Sequence, residues 1–527
     1  MTEKRFEELA AAQCSSAATS AHAGGGPGRP FWNPQSTEFM YVPAFQFAPQ
    51  PGCAGYRYRA KGSDGVIRTF DAPTASASLE PVWSDLPEGV VELTVRPFGA
   101  DGAEWPLCGA RTFFRLSPFT ADLPPAARSL RESVLAVYDY AIGQSFLTHW
   151  LTHGTPDPDY DRYVYPSKMV PTVIEAMINY SRLRPERSAN AIMIARAAAD
   201  WLIGITPGDG APLAHLPPTY YINWREDPEN RTNLKATSRI DWIMMIYPAQ
   251  VGSAYLRLWE ATGDEKYLGE AMKIGAWYRD HVEENGSWYM IRCLSTGEPV
   301  NGHYCGPMEL ILPFLESLHG ITGDAVWKKL AEGAVVYVEK RMLSSYNWEG
   351  QFEDSPCSEN YNNLSHYCAS ALVRYRCRNC RDDEEKMAEA DDLARFVEDQ
   401  FVVWKTPAPW NKSHFDPSLW HTPCAMEQYD WYVPIDNSAA DIAQTFLAMY
   451  KAGRGELWLE KAKALCDSIT RVQRSDGMIP THWMNDEFRN GRSVQEMLSH
   501  SCSTVHTTIR PLNRRISPWM WSMKTMI

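Results

Sequence analysis

The residues best equipped to move a proton in this chain are two histidine–tyrosine pairs, His303-Tyr304 and His366-Tyr367. An imidazole titrates near neutrality and a phenol gives or takes a proton when its surroundings allow, so each pair could act as acid and base on one substrate. An asparagine pair, Asn362-Asn363, stands just before the second, and Arg239 and Arg292 lie in two other polar stretches. Amide, imidazole and guanidinium donors of this kind neutralise a carboxylate or a developing oxyanion. Four carboxylates, Asp241, Glu309, Glu359 and Asp436, occupy loop-to-helix junctions and offer a different chemistry, that of an acid and base flanking a glycosidic bond.

Each residue also has a structural reading. An Asn before a helix is often a cap, a His on a small apolar helix is often a satisfied buried group, and an acidic side chain in a first turn complements the helix dipole. What favours function is the recurrence of His-Tyr at what read as the starts of two successive helices.

Those junctions belong to four stretches rich in Trp, Tyr, His, Asn and charge. Residues 220–241 carry Trp224, Arg239 and Asp241; residues 288–309 carry Arg292, His303, Tyr304 and Glu309. Residues 353–376 carry Glu359, Asn363, His366 and Tyr367; residues 420–441 carry His421, Glu427, Tyr429, Trp431, Asp436 and Asn437. If they converge, Tyr304, His366, Asn363, His303 and Tyr367 are the expected catalytic groups. Arg239, Arg292, Trp224, Tyr429, Trp431 and His421 are then the expected substrate contacts, the aromatic rings stacking on sugar faces.

The elements that must position them fall into three segments. Residues 1–29 are poor in bulky apolar side chains, end in a glycine-rich run and read as a disordered leader. Residues 30–120 show short alternating runs, such as Tyr56-Arg57-Tyr58-Arg59 and Arg111 to Arg115, separated by Ser63-Asp64-Gly65 and Ala100-Asp101-Gly102. That is the pattern of an antiparallel β-sandwich. Residues 121–527 read as paired helices, with tight connectors such as Thr262-Gly263-Asp264 and Thr322-Gly323-Asp324, where Gly ends one helix and Asp caps the next. One long helix is expected over 126–148, and another over 240–259. The repeat recurs at roughly 60 to 70 residues, giving about six hairpins with the long polar connectors at one end.

Composition narrows the partners. The 527 residues carry a net charge of −13, which argues against nucleic acid and anionic membrane surfaces. No apolar run is long enough to span a bilayer, and the first 30 residues lack the apolar core of a secretory signal. A cytoplasmic protein is expected, unless a leader has been removed. Its 12 scattered cysteines read as free thiols. Cys377 and Cys380 form a C-x-x-C without a second pair at zinc spacing, so neither a metal nor another cofactor is expected. The chain shows no G-x-S-x-G elbow, glycine-rich phosphate loop or H-E-x-x-H, and subunit number is not legible.

Three resemblances follow from quoted stretches. Pro81 to Gly102, with Trp83 before Leu86-Pro87-Glu88-Gly89, resembles a fibronectin type III module. The W-x-x-T-G-D-x-x-Y-L phrase at Trp259 to Leu268, within the hairpin repeat, resembles the (α/α) toroids of carbohydrate enzymes. Asn362-Asn363-Leu364-Ser365-His366-Tyr367 resembles the Asn-Asn-His-Ser-Tyr phrase of toroid alginate lyases, though the His follows the Asn pair three positions on rather than one. The resemblance implies a mainly α, (α/α)6-like toroid that cleaves an acidic, uronic-acid-containing glycan by β-elimination. Glycoside hydrolysis by the carboxylates named above is the alternative, as in the unsaturated glucuronyl hydrolases. A non-catalytic glycan-binding protein is a third reading.

Overall fold

A computed structural model describes residues 36–120, 122–221, 239–348, 365–409, 420–428, 431–481 and 483. Seven strands form its N-terminal part: β1 (Glu38–Phe39), β2 (Ala44–Gln46), β3 (Gly55–Lys61), β4 (Ile67–Ala72), β5 (Ser76–Ser78), β6 (Gly89–Phe98) and β7 (Gly109–Arg115). One sheet has the order β1-β7-β6-β3-β4, with β1 parallel to β7 and every other pair antiparallel, and β2 pairs with β5 in a second. Alternation decides the faces. Tyr56, Tyr58 and Ala60 point into the core with Phe39, Phe45, Trp83, Leu93 and Phe113, while Arg57 and Arg59 turn outward to Asp71 and Glu104. Gly65, at φ 75°, makes the turn between β3 and β4 that a side chain would strain.

Twelve helices follow as six consecutive pairs among the described residues: α1 (Leu130–Ile142) with α2 (Ser145–His153), α3 (Pro166–Leu183) with α4 (Ser188–Ile205), and α5 (Tyr247–Thr262) with α6 (Glu265–Asp280). Next come α7 (Ile311–Thr322) with α8 (Ala325–Val338), α9 (Tyr367–Asn379) with α10 (Glu384–Phe401), and α11 (Asp436–Lys451) with α12 (Glu456–Val472). The tight connectors behave as their residues require. Gly263 and Gly323 adopt the left-handed conformation at φ 69° and 70°, and Asp264 and Asp324 accept from Lys266 N at 3.2 Å and Val326 N at 2.9 Å. Each such cap is worth about 1 kcal/mol.

Two boundaries depart from the sequence reading. The helix expected over 126–148 is broken at Gly143-Gln144 into α1 and α2. The helix expected from Ile240 starts at Tyr247, because Trp242–Met244 forms strand β8, antiparallel to β9 (Ile291–Cys293).

The odd-numbered helices form the inner layer. α3 packs on both α4 and α5, α5 on α7, and α9 on α11, so these helices bury more than one face. On α3 every residue from Met169 to Tyr180 except Thr172 is buried, whereas α12 buries a single stripe that includes Trp458, Leu465 and Ile469. α1 touches both α3 and α12 and closes the ring. Gln473 Nε2 donates to the Ser133 carbonyl at 2.9 Å, and Ala127 N to Thr470 Oγ1 at 2.9 Å.

The sandwich is seated on α10 by its first strand. Asp399 accepts from the backbone N–H groups of Met40 and Tyr41, Ser36 Oγ donates to Gln400 at 2.6 Å, and Tyr41 Oη donates to Glu398 at 2.7 Å. Glu398 also meets Lys461 and the Trp404 indole, and all three are buried. Glu38 is buried beside them with neither carboxyl oxygen hydrogen-bonded; burial, and then the charge of Asp399, push its pKa up to about 8.

Candidate active site

The N-termini of neighbouring inner helices meet at one end of the ring. Lys168, in the first turn of α3, lies 4.7 Å over the ring of Tyr247, the first residue of α5. Tyr367, the first residue of α9, is bonded to residues at the start of α11. The starts of α9 and α11 belong to two of the polar stretches that the sequence singles out.

Tyr367 is the hub. Asn437 Nδ2 donates to its hydroxyl at 3.0 Å, the hydroxyl donates toward Glu427 Oε1 at 3.4 Å, and Ser438 Oγ lies 3.4 Å away. Asn437 and Ser438 belong to the first turn of α11. Glu427 is carried by β11 (Cys424–Gln428), held between β10 (Val402–Val403) and β12 (Trp431–Pro434). Burial, then the charges of Glu427 and Glu309, push the Tyr367 phenol well above its ordinary pKa, against the pull of Ser438 and Asn437. Tyr367 therefore stays protonated.

Behind it lies a buried charge cluster. His366 precedes α9, is fully buried, and sets its ring 4.1 Å from that of Tyr367 and 5.6 Å from Phe401. Its Nδ1 faces Asp441 Oδ2 at 3.6 Å, longer than a proper hydrogen bond, and Ser370 Oγ at 3.4 Å. Arg374 reaches the other Asp441 oxygen at 2.8 Å. Burial alone would raise the Asp441 pKa, but Arg374 and His366 outweigh it and hold the carboxyl down at about 2. Burial lowers the imidazole pKa and Asp441 only partly opposes this, so His366 is neutral at pH 7.

The other expected site residues divide. Glu309 stands two residues before α7 and acts on Tyr367, and Asp436 opens α11 fully buried, its backbone N–H donating to the Thr481 carbonyl at 3.0 Å. His303 and Tyr304 do not open an inner helix: α7 begins at Ile311, and both residues lie on an extended segment paired with residues 288–292. The His303 carbonyl accepts from Met290 N at 2.8 Å, and Tyr304 stacks on Tyr289 with centroids 4.9 Å apart.

Arg292 donates to the Gly297 carbonyl at 2.8 Å and to Glu283 at 3.2 Å, between the rings of Trp277 and Tyr289. Arg239 lies over Trp242. Asp241 accepts from Ser295 N and Oγ and from Cys293 Sγ; the Cys293 and Ser295 side-chain bonds lower its pKa, and its carboxylate is occupied in holding that hairpin. His421 is exposed, and its backbone N–H donates to the Trp483 carbonyl. Trp431 begins β12. Asn363, Trp224, Tyr429 and Glu359 lie outside the described residues.

Sequence reasoning gave no role to Ser438, Arg374 or Asp441, and named Glu427 and Asn437 only as part of their loop. A signal for Asp441 was present: it sits in Ser438-Ala439-Ala440-Asp441-Ile442-Ala443, a small apolar helix face where a carboxylate needs a partner.

A ring of helical hairpins whose inner helices gather their N-termini around polar side chains defines an (α/α) toroid. Solved structures that resemble the chain include a family 76 glycoside hydrolase from Bacteroides thetaiotaomicron, with 9% identity over 90% of this chain and 97% of that one, at a TM-score of 0.45. A cellobiose 2-epimerase from Spirochaeta thermophila aligns over 73% and 99%, with 12% identity and a TM-score of 0.47. An unsaturated glucuronyl hydrolase specific for heparin aligns over 72% and 97%, with 10% identity and a TM-score of 0.43. Likenesses this distant transfer no residue role. No protein-family model and no curated protein matches the sequence.

Proposed function

We propose that this protein is a glycan-cleaving enzyme whose proton transfers take place at the inner-helix N-termini, and that it hydrolyses a glycosidic bond with Glu427 and Glu309 as acid and base. The observation that carries this reading is the company kept by the Tyr367 hydroxyl: two carboxylates act on it, and it stays protonated. One carboxyl protonates the leaving oxygen while the other carboxylate activates water. Tyr367, fixed by Asn437, orients Glu427 through its O–H.

Elimination from a uronide is the second reading, and the same contact favours it when used in the opposite sense. If Tyr367 passes its proton to Glu427, the phenolate, stabilised by the Asn437 amide, can take the C5 proton while the C4–O4 bond breaks and Glu427 gives its proton to the departing oxygen.

Product chemistry separates the two. The protein is incubated with neutral glycans, alginate, glucuronan and glycosaminoglycans. New reducing ends without the ultraviolet absorbance of an unsaturated uronide support hydrolysis; that absorbance supports elimination. Neither product from any glycan would overturn the proposed activity.

A further inference from the structure

Among the described residues, two atoms of the buried cluster behind Tyr367 make no hydrogen bond: Asp441 Oδ2, which His366 Nδ1 faces at 3.6 Å, and His366 Nε2. His366 is 0% exposed, and its Nε2 makes no hydrogen bond among the described residues. Its other ring nitrogen faces the Asp441 carboxylate, which Arg374 holds in place at 2.8 Å. A lone pair directed at an anion is repelled and an N–H directed at it is attracted, so Nδ1 carries the proton. Nε2 is then a bare acceptor, and a buried acceptor is costly until something donates to it.

We propose that Arg374 and Asp441 are positioning residues that lock His366 as its neutral Nδ1–H tautomer, so that Nε2 accepts a hydrogen bond from an O–H group, either a sugar hydroxyl or the water that attacks the sugar. Every group described against the ring fits this assignment. Ser370 lies on the Nδ1 side, Tyr367 and Phe401 contribute ring faces, and Asp441 with Arg374 supplies a paired charge. In catalysis the bond to Nε2 would orient the sugar hydroxyl, or the attacking water while the carboxylate that acts as base takes its proton; the imidazole stays neutral throughout. The catalytic part rests on the function proposed above. The tautomer does not, and the test reads it directly.

The full chain, labelled with ¹⁵N-histidine, is studied by long-range ¹H–¹⁵N correlation at neutral pH, the His366 signals being those lost in His366→Gln. The expected spectrum is that of a neutral Nδ1–H ring, and Asp441→Asn should mix or reverse the two tautomers. A shift of the Nε2 resonance on adding glucose, mannose or glucuronate assigns the donor to sugar; a constant resonance with an acceptor-bonded shift assigns it to water. A protonated ring, or an Nε2–H tautomer in the native protein, overturns the proposal, and that measurement stands even if Asp441→Asn does not fold. If the tautomer holds and no glycan is cleaved, only the proposed activity fails. With a cleaved glycan in hand, Asp441→Asn should lower kcat about 100-fold with KM nearly unchanged, and Asp441→Glu should recover part of it.

Discussion

The Asn437 side-chain amide and the Tyr367 hydroxyl meet at 3.0 Å, joining the first turns of α9 and α11. That bond fixes the phenol from the amide side and leaves its proton for Glu427. Glu427→Gln keeps shape and hydrogen bonding but cannot exchange a proton, so turnover of the glycan found in the product screen should fall by roughly 10² to 10⁴. Tyr367→Phe separates the readings: under hydrolysis it should cost about tenfold, because only orientation is lost, and under elimination it should cost about as much as Glu427→Gln. Initial rates at saturating substrate decide between them.

Glu38 makes stability fall as pH rises. Its folded pKa of about 8 exceeds the ordinary value of 4.5, so the folded state binds the proton more tightly than the unfolded state. The resulting stabilisation is complete below pH 4.5, declines between pH 4.5 and 8, and is gone above. Glu38→Gln should remove that slope and gain on the order of a few kcal/mol relative to the native protein at pH 8. Urea unfolding at several pH values gives the comparison, and parallel curves for the two proteins would refute it.

Lys461 and Glu398 are a fully buried ion pair, at 1% and 0% side-chain exposure. Lys461→Met leaves an uncompensated carboxylate and should cost about 3 to 5 kcal/mol, while the double variant with Glu398→Gln should recover most of the loss. Thermal unfolding of the three proteins tests this.

Gly477 has φ 98°, and a Cβ there would run into the Ala136 carbonyl where the last hairpin meets α1. Gly477→Ala should cost about 1 to 3 kcal/mol. Gly263 also has positive φ but faces open space, so Gly263→Ala should cost only about 1 kcal/mol. Equal losses would mean that contact at the ring closure contributes nothing.

The hairpins were legible because their signals are local: Gly263-Asp264 and Gly323-Asp324 end one helix and cap the next within two residues. Strand β8 was not, since Trp242-Ile243-Met244-Met245-Ile246-Tyr247 is an unbroken apolar run that fits a buried strand or a buried helix equally well. The junction at His366-Tyr367 was found from its residue types. The His303-Tyr304 pair does not share the position of His366-Tyr367, because an identical dipeptide carries no information on long-range pairing such as that of Tyr304 with Tyr289. Asp441 and Arg374 acquire meaning only when α9 and α11 lie side by side, a relationship encoded 67 residues apart.

The first strand of the sandwich is stitched into α10, and this bears on any attempt to shorten the protein. A chain begun after residue 120 would strip Asp399 of two backbone donors and Glu398 of the Tyr41 hydroxyl, stranding carboxylates in an interior built to have them occupied. The helical ring is thus not independent of the strands that precede it: part of what satisfies its buried carboxylates comes from the residues made first.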